Sequence, residues 1–156
     1  IHDIDLVLSM VKSNIKKIRA SGSPVICNTT DVAHAHIEFD NGAIANLSVS
    51  RVAMINKRSL QIFQKESFLN IDLLNKTFTK AELKKNHKLT ENESIIALRD
   101  DTSIVKTDMA VKPVNAIKYE LELFAESIKN KTKAAITIES AYLTMQTTQQ
   151  ITEAIG

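Results

Sequence analysis

Residues Val32-Ala33-His34-Ala35-His36-Ile37-Glu38-Phe39 and Ala43-Ile44-Ala45-Asn46-Leu47-Ser48-Val49-Ser50-Arg51 flank the triplet Asp40-Asn41-Gly42. Both flanks alternate in the two-residue period of a strand, and Asn-Gly between such runs marks a hairpin, because its turn positions require positive φ. Taken as a two-residue loop, Asn41-Gly42 sets Phe39 opposite Ile44, Ile37 opposite Asn46 and Ala35 opposite Ser48 on one side. Glu38 then faces Ala45, His36 faces Leu47 and His34 faces Val49 on the other. Neither side is cleanly polar, which predicts a sheet covered twice: by helices on one face, by a partner or substrate on the other.

Outward from the hairpin, further strands are expected at Arg58–Gln64, Ser67–Leu74 and Thr77–Leu83, with a polar loop over Lys84–Ser94 and two more strands at Ile95–Leu98 and Ser103–Val111. Upstream, Ile4, Leu8 and Val11 fall at helical spacing, then Ile15–Ala20 reads as a strand ended by Ser21-Gly22-Ser23-Pro24. Downstream, Val114–Asn130 is an amphipathic helix with Ile117, Leu121, Phe124 and Ile128 in one stripe. A short strand at Ala134–Ile136 leads to Thr137, the N-cap of a last helix with Ala141, Met145, Thr148 and Ile155 on its inner face. The order defines an α+β fold: an open, mostly antiparallel sheet with helices on one face, in a single domain over residues 1–156.

The chain has 156 residues, 44% hydrophobic and 24% charged, with a net charge of +2. That suits a globular domain, and its charge is too balanced to argue for nucleic acid or an anionic membrane. No apolar run reaches the roughly 18 residues of a membrane span. With one cysteine and no signal-peptide layout, a reducing, cytoplasmic setting is expected. Only three glycines occur, Gly22, Gly42 and Gly156, so neither GxGxxG nor a P-loop can form. His34, His36 and Glu38 share one strand face but lack a further ligand, so no metal site is assigned. Cys27 reads as a structural thiol, and His87 as a solvent-exposed loop residue. His2, in His2-Asp3-Ile4-Asp5 at a helix start, is a candidate general acid or base.

His2-Asp3-Ile4-Asp5-Leu6-Val7-Leu8 resembles the helix that follows the active-site D-x-x-x-H motif of the glucose–fructose oxidoreductase / inositol dehydrogenase / MocA (Gfo/Idh/MocA) family. Thr30-Asp31-Val32-Ala33, His36 through Ala43 and Ala45 through Arg51 resemble that family's central hairpin, and Arg58 through Phe63 its next strand. Phe124-Ala125-Glu126-Ser127-Ile128 and Thr137-Ile138-Glu139-Ser140-Ala141 resemble its closing helices. The resemblance implies the C-terminal, substrate-side and oligomerisation domain of a two-domain dehydrogenase, whose Rossmann domain holds NAD or NADP outside this chain. No cofactor-binding residue is expected here, and the fragment alone is expected to be inactive and free of cofactor. His2 is the implied proton-handling residue at a sugar, sugar-nucleotide or cyclitol hydroxyl. Arg51, Lys57 and Arg58, at or between strand ends, are the implied substrate-binding cations. The implied partners are a small sugar-type substrate and further copies of the chain, as a homodimer or homotetramer through the sheet face, with no nucleic acid and no membrane. The rival expectation is a non-catalytic binding or assembly module whose sheet docks a protein.

Overall fold

The computed structural model describes residues 1–99 and 101–156, with the side chains of 97–99 left undescribed. Two compact units form: residues 1–54 with 116–156, and residues 55–115.

The first unit begins with α1 (His2–Met10), followed by β1 (Ile15–Ser23), β2 (Val32–Phe39) and β3 (Ile44–Ser50), an antiparallel sheet in the order β1-β2-β3. The β2–β3 turn is one residue longer than the Asn41-Gly42 loop expected. Phe39 N–H donates to Ala43 C=O, Gly42 N–H donates to Phe39 C=O, and Gly42 carries φ +83°. That is a three-residue loop closed by a left-handed glycine. The register shifts with it: Ile37 now opposes Ala45, Ala35 opposes Leu47, His36 opposes Asn46 and His34 opposes Ser48. A one-residue slip regroups every cross-strand pair, so the mixed faces expected from the sequence resolve into an apolar face and a polar one.

The apolar face carries the core. Val7 of α1 packs on Ile37 and Phe39, ringed by Leu8, Val11, Ile15, Ile18, Ala45, Leu47 and Ile151. Burying side chains of this size stabilises by about 1.5–3 kcal/mol each. β1 runs on through Gly22 and Ser23, where a turn was expected, because these residues pair with Ala33 and Val32. No strand forms at 134–136. Later in the chain come α2 (Ala116–Asn130) and α3 (Ile138–Ile155). Thr137 caps α3 as expected: its hydroxyl accepts from Ser140 N–H, and Ser140 Oγ accepts from Thr137 N–H.

The inner face of α3 differs from the expected stripe. Thr144 and Thr147 are buried and Met145 is exposed. Thr144 can be buried because its single hydroxyl hydrogen is shared between two acceptors, Ser140 C=O and Asp5 Oδ1. The α2 stripe of Ile117, Leu121, Phe124 and Ile128 forms as predicted, but all four side chains are exposed.

The second unit is one antiparallel sheet, order β4-β5-β6-β8-β7, built from β4 (Ser59–Gln64), β5 (Ser67–Asp72), β6 (Thr77–Lys85), β7 (Glu93–Arg99) and β8 (Thr102–Met109). Asp72 holds the β5–β6 turn by accepting from the Leu74 and Asn75 backbone N–H groups and from the Asn75 side chain. The α+β class follows from both units together.

Candidate functional site

His2 is the first residue of α1, exposed, with Asp3 and Asp5 beside it in the first turn. The helix that carries it is fixed by the Val7 and Leu8 packing and by the Thr144–Asp5 hydrogen bond (3.1 Å).

Arg51 lies just past β3, at the end of the sheet remote from the α1–β1 connection. There the central residue is Asp31, which the sequence reading quoted only as part of a motif. Its side chain is wholly buried. Asp31 Oδ2 accepts backbone N–H groups from Val25 (3.0 Å), Ile26 (2.8 Å) and Cys27 (2.9 Å). These donors, Cys27 first, hold its carboxyl well below the usual carboxylate range, at about 2. Asp31 Oδ1 makes no hydrogen bond and faces Arg51 Nε at 3.5 Å. The backbones are joined too, since Arg51 N–H donates to Asp31 C=O (3.0 Å) and Asp31 N–H to Ser23 C=O (3.0 Å). One carboxylate thus knits the 24–30 loop to the residue after β3.

Lys57 and Arg58 are exposed and belong to the second unit. Arg58 C=O accepts from Leu73 N–H (2.8 Å), and the Lys57 charge helps keep the Asp72 carboxyl low, after the Asn75 contacts. Among the described residues, no contact or cavity joins His2 to Arg51.

On the polar face of the three-stranded sheet, Arg19 pairs with Glu38 (2.8 Å) and His36 Nδ1 lies 2.7 Å from Asn46 Oδ1. A shallow depression of about 450 Å³ lies over this face, rimmed by Arg19, His34, His36 and Asn46. Glu38 Oε1 also lies 3.6 Å from His36 Nε2, so these two side chains contact each other as well as Arg19 and Asn46. Cys27 is an exposed free thiol. His87 departs from expectation. It is only partly exposed, with Nε2 2.8 Å from Glu93 Oε2, while Lys84 Nζ lies 2.7 Å from Glu93 Oε1. Thr90 N–H donates to the same carboxylate, and Lys84, His87 and Thr90 together hold Glu93 far below the usual range. The cluster pins the β6–β7 loop; a sequence separation of six residues carries no sign of it.

The glycines bear on the cofactor. Gly22 lies in β1 with side chains crowding its Cα, Gly42 closes a hairpin and Gly156 is the last residue. None opens a helix after a strand, so these residues do not fit a dinucleotide phosphate turn. No helix among the described residues is long and apolar enough to cross a membrane.

Residues 1–67 match the family model of the GFO/IDH/MocA C-terminal domain. A UDP-N-acetylglucosamine 3-dehydrogenase from Acidithiobacillus ferrooxidans is 35% identical over 77 residues, 49% of this chain and 25% of the relative. The solved structure of a UDP-N-acetylglucosamine 3-dehydrogenase from that organism superposes with TM-score 0.81 at 21% identity, covering 99% of this chain and 45% of the other. An NAD-binding protein from Listeria innocua superposes with TM-score 0.69 at 18% identity, covering 99% and 47%. These likenesses establish the fold. The chain spans less than half the length of the relatives it matches.

Proposed function

We propose that this chain is the C-terminal, substrate-side domain of a longer NAD(P)-dependent dehydrogenase acting on a hydroxyl carbon of a sugar nucleotide. The observation that carries the reading is the family match over residues 1–67, which spans both His2 at the head of α1 and the hairpin ending at Arg51. The 35% identity to a UDP-N-acetylglucosamine 3-dehydrogenase supports the substrate class. The nicotinamide is held by another domain.

His2 handles the proton: its imidazole accepts the substrate hydroxyl proton during oxidation and returns it during reduction. Positioned proton transfer of this kind contributes about 10²–10⁴-fold. Arg51 supplies a cation for the anionic part of the substrate. The protein works in the cytoplasm as a homodimer or homotetramer through a sheet face, and the isolated chain is inactive.

The test is turnover of UDP-N-acetylglucosamine with NAD⁺ and with NADP⁺ by the longer protein. His2→Ala is expected to lower kcat by about tenfold or more. Near-normal turnover in that variant removes His2 from the mechanism.

A further inference from the structure

We infer that Asp31 is a positioning residue that aims the Arg51 guanidinium at an anionic group, an inference that rests on the proposed substrate-binding role of Arg51. Its two carboxylate oxygens do different work. Oδ2 is saturated by three backbone N–H donors of the 25–27 loop. Oδ1, buried and without a hydrogen bond, faces Arg51 Nε at 3.5 Å. A buried carboxylate oxygen lacking a donor is costly, and the arginine beside it is the charge that offsets that cost. The contact runs through Nε. The terminal guanidinium nitrogens stay open on a side chain that is 61% exposed, and that pair of donors matches a carboxylate or phosphate. The Arg51 backbone is anchored to the same residue through its N–H on Asp31 C=O. A long side chain free at the surface would lose rotamer freedom on binding an anion. Anchored at its backbone and at Nε, Arg51 meets the ligand with part of that loss already taken.

The asymmetry of the carboxylate supplies a selective variant. In Asp31→Asn the amide oxygen must take the place of Oδ2, because the amide nitrogen would otherwise meet three N–H donors. The nitrogen then faces Arg51 Nε, donor against donor, so the loop keeps its acceptor while the arginine loses its anchor. The test uses the ¹⁵N-labelled 156-residue chain, with uridine diphosphate as the probe and the Arg51 Nε–Hε resonance as readout. In the unsubstituted chain the probe is expected to shift this resonance. Asp31→Asn, which removes the ion pair and sets donor against donor, should weaken binding about tenfold, with Tm changed by no more than about 4 °C. Arg51→Gln should abolish the binding.

Binding lost in Arg51→Gln but unchanged in Asp31→Asn overturns the positioning role and leaves Arg51 as an anion ligand. A probe that binds the unsubstituted chain and Arg51→Gln equally, or not at all, overturns both. Should Asp31→Asn fail to fold, the unsubstituted chain still decides: its Arg51 Nε–H must exchange with water more slowly than in free arginine, and an equal rate overturns the inference.

Discussion

Gly22 pairs with Ala33 inside β1, and a methyl group on its Cα would lie 2.6 Å from Thr30 Cγ2, 2.8 Å from Ile155 Cγ2 and 3.2 Å from Val32 O. A turn-forming residue by composition is here a close-approach residue, where Ile155 at the end of α3 meets β1. Gly22→Ala is expected to destabilise the chain by about 1–3 kcal/mol, the range for overpacking, measured by urea unfolding. An unchanged midpoint would mean that Thr30 and Ile155 move aside without cost. Asp31 makes a prediction about acid. Its folded-state carboxyl titrates at about 2, below its ordinary value of 3.8. A depressed carboxyl contributes stability that is present above the unfolded value and lost as pH falls through the folded one. Unfolding followed between about pH 4 and pH 2 should therefore show a loss of stability that Asp31→Asn lessens. Equal pH slopes would assign the acid sensitivity to other carboxylates, with Glu93 the next candidate. Neither role was legible in the sequence. Gly22 stands in a Ser-Gly-Ser-Pro string that reads as a turn, and Asp31 finds its donors only once the 24–30 loop has folded over it.

At the level of elements, the sequence exposed what depends on period and hid what depends on partners. Alternation located β2 and β3, and the cap residue Thr137 located the start of α3, because both signals are local. The hairpin register turned on whether Asp40 belongs to the strand or the loop, a choice that the Asn-Gly signal leaves open. The inner stripe of α3, expected at Ala141, Met145, Thr148 and Ile155, is turned by about one residue, to Thr144, Thr147 and Ile151. Thr148 and Thr152 return their hydroxyls to carbonyls four residues earlier, as Thr144 does, whereas the buried Thr147 hydroxyl has no hydrogen-bond partner. The end of α2 offers a test of local backbone energetics. Thr132 N–H donates to Ser127 C=O and Lys131 N–H to Ile128 C=O, a Schellman closure with Lys131 at φ 53°. Holding a residue with a Cβ in that left-handed conformation costs about 1–2 kcal/mol. Lys131→Gly is expected to slow amide exchange in the last turn of α2 by about fivefold, the equivalent of about 1 kcal/mol. Faster exchange would show that flexibility gained in the unfolded chain outweighs the strain relieved.

For the whole molecule, the corrected hairpin register changes where self-association should be sought. The mixed faces that suggested a covered sheet were an artefact of pairing Ile37 with Asn46, and the three-stranded sheet instead turns His34, His36, Glu38, Asn46 and Ser48 outward. The five-stranded sheet keeps the feature that the first sheet loses. Phe63, Phe68 and Ala81 lie opposite one another across β4, β5 and β6, and Leu83 follows on the same face. The Phe63 and Phe68 rings stack at 4.8 Å, yet Phe63 remains 77% exposed. An aromatic held in place by a neighbouring ring but left open to water has little entropy to lose on meeting a second copy. The proposed homodimer or homotetramer is therefore expected to use this face. Light scattering should give a multiple of 17.3 kDa, and Phe63→Glu should shift the mass toward the monomer while leaving Tm within about 4 °C. A mass of 17.3 kDa for the unsubstituted chain at high concentration would overturn self-association. A Phe63→Glu variant that still associates would move the contact to another surface. Of those, the exposed α2 stripe of Ile117, Leu121, Phe124 and Ile128 is the next to substitute, because its four side chains form a continuous apolar row.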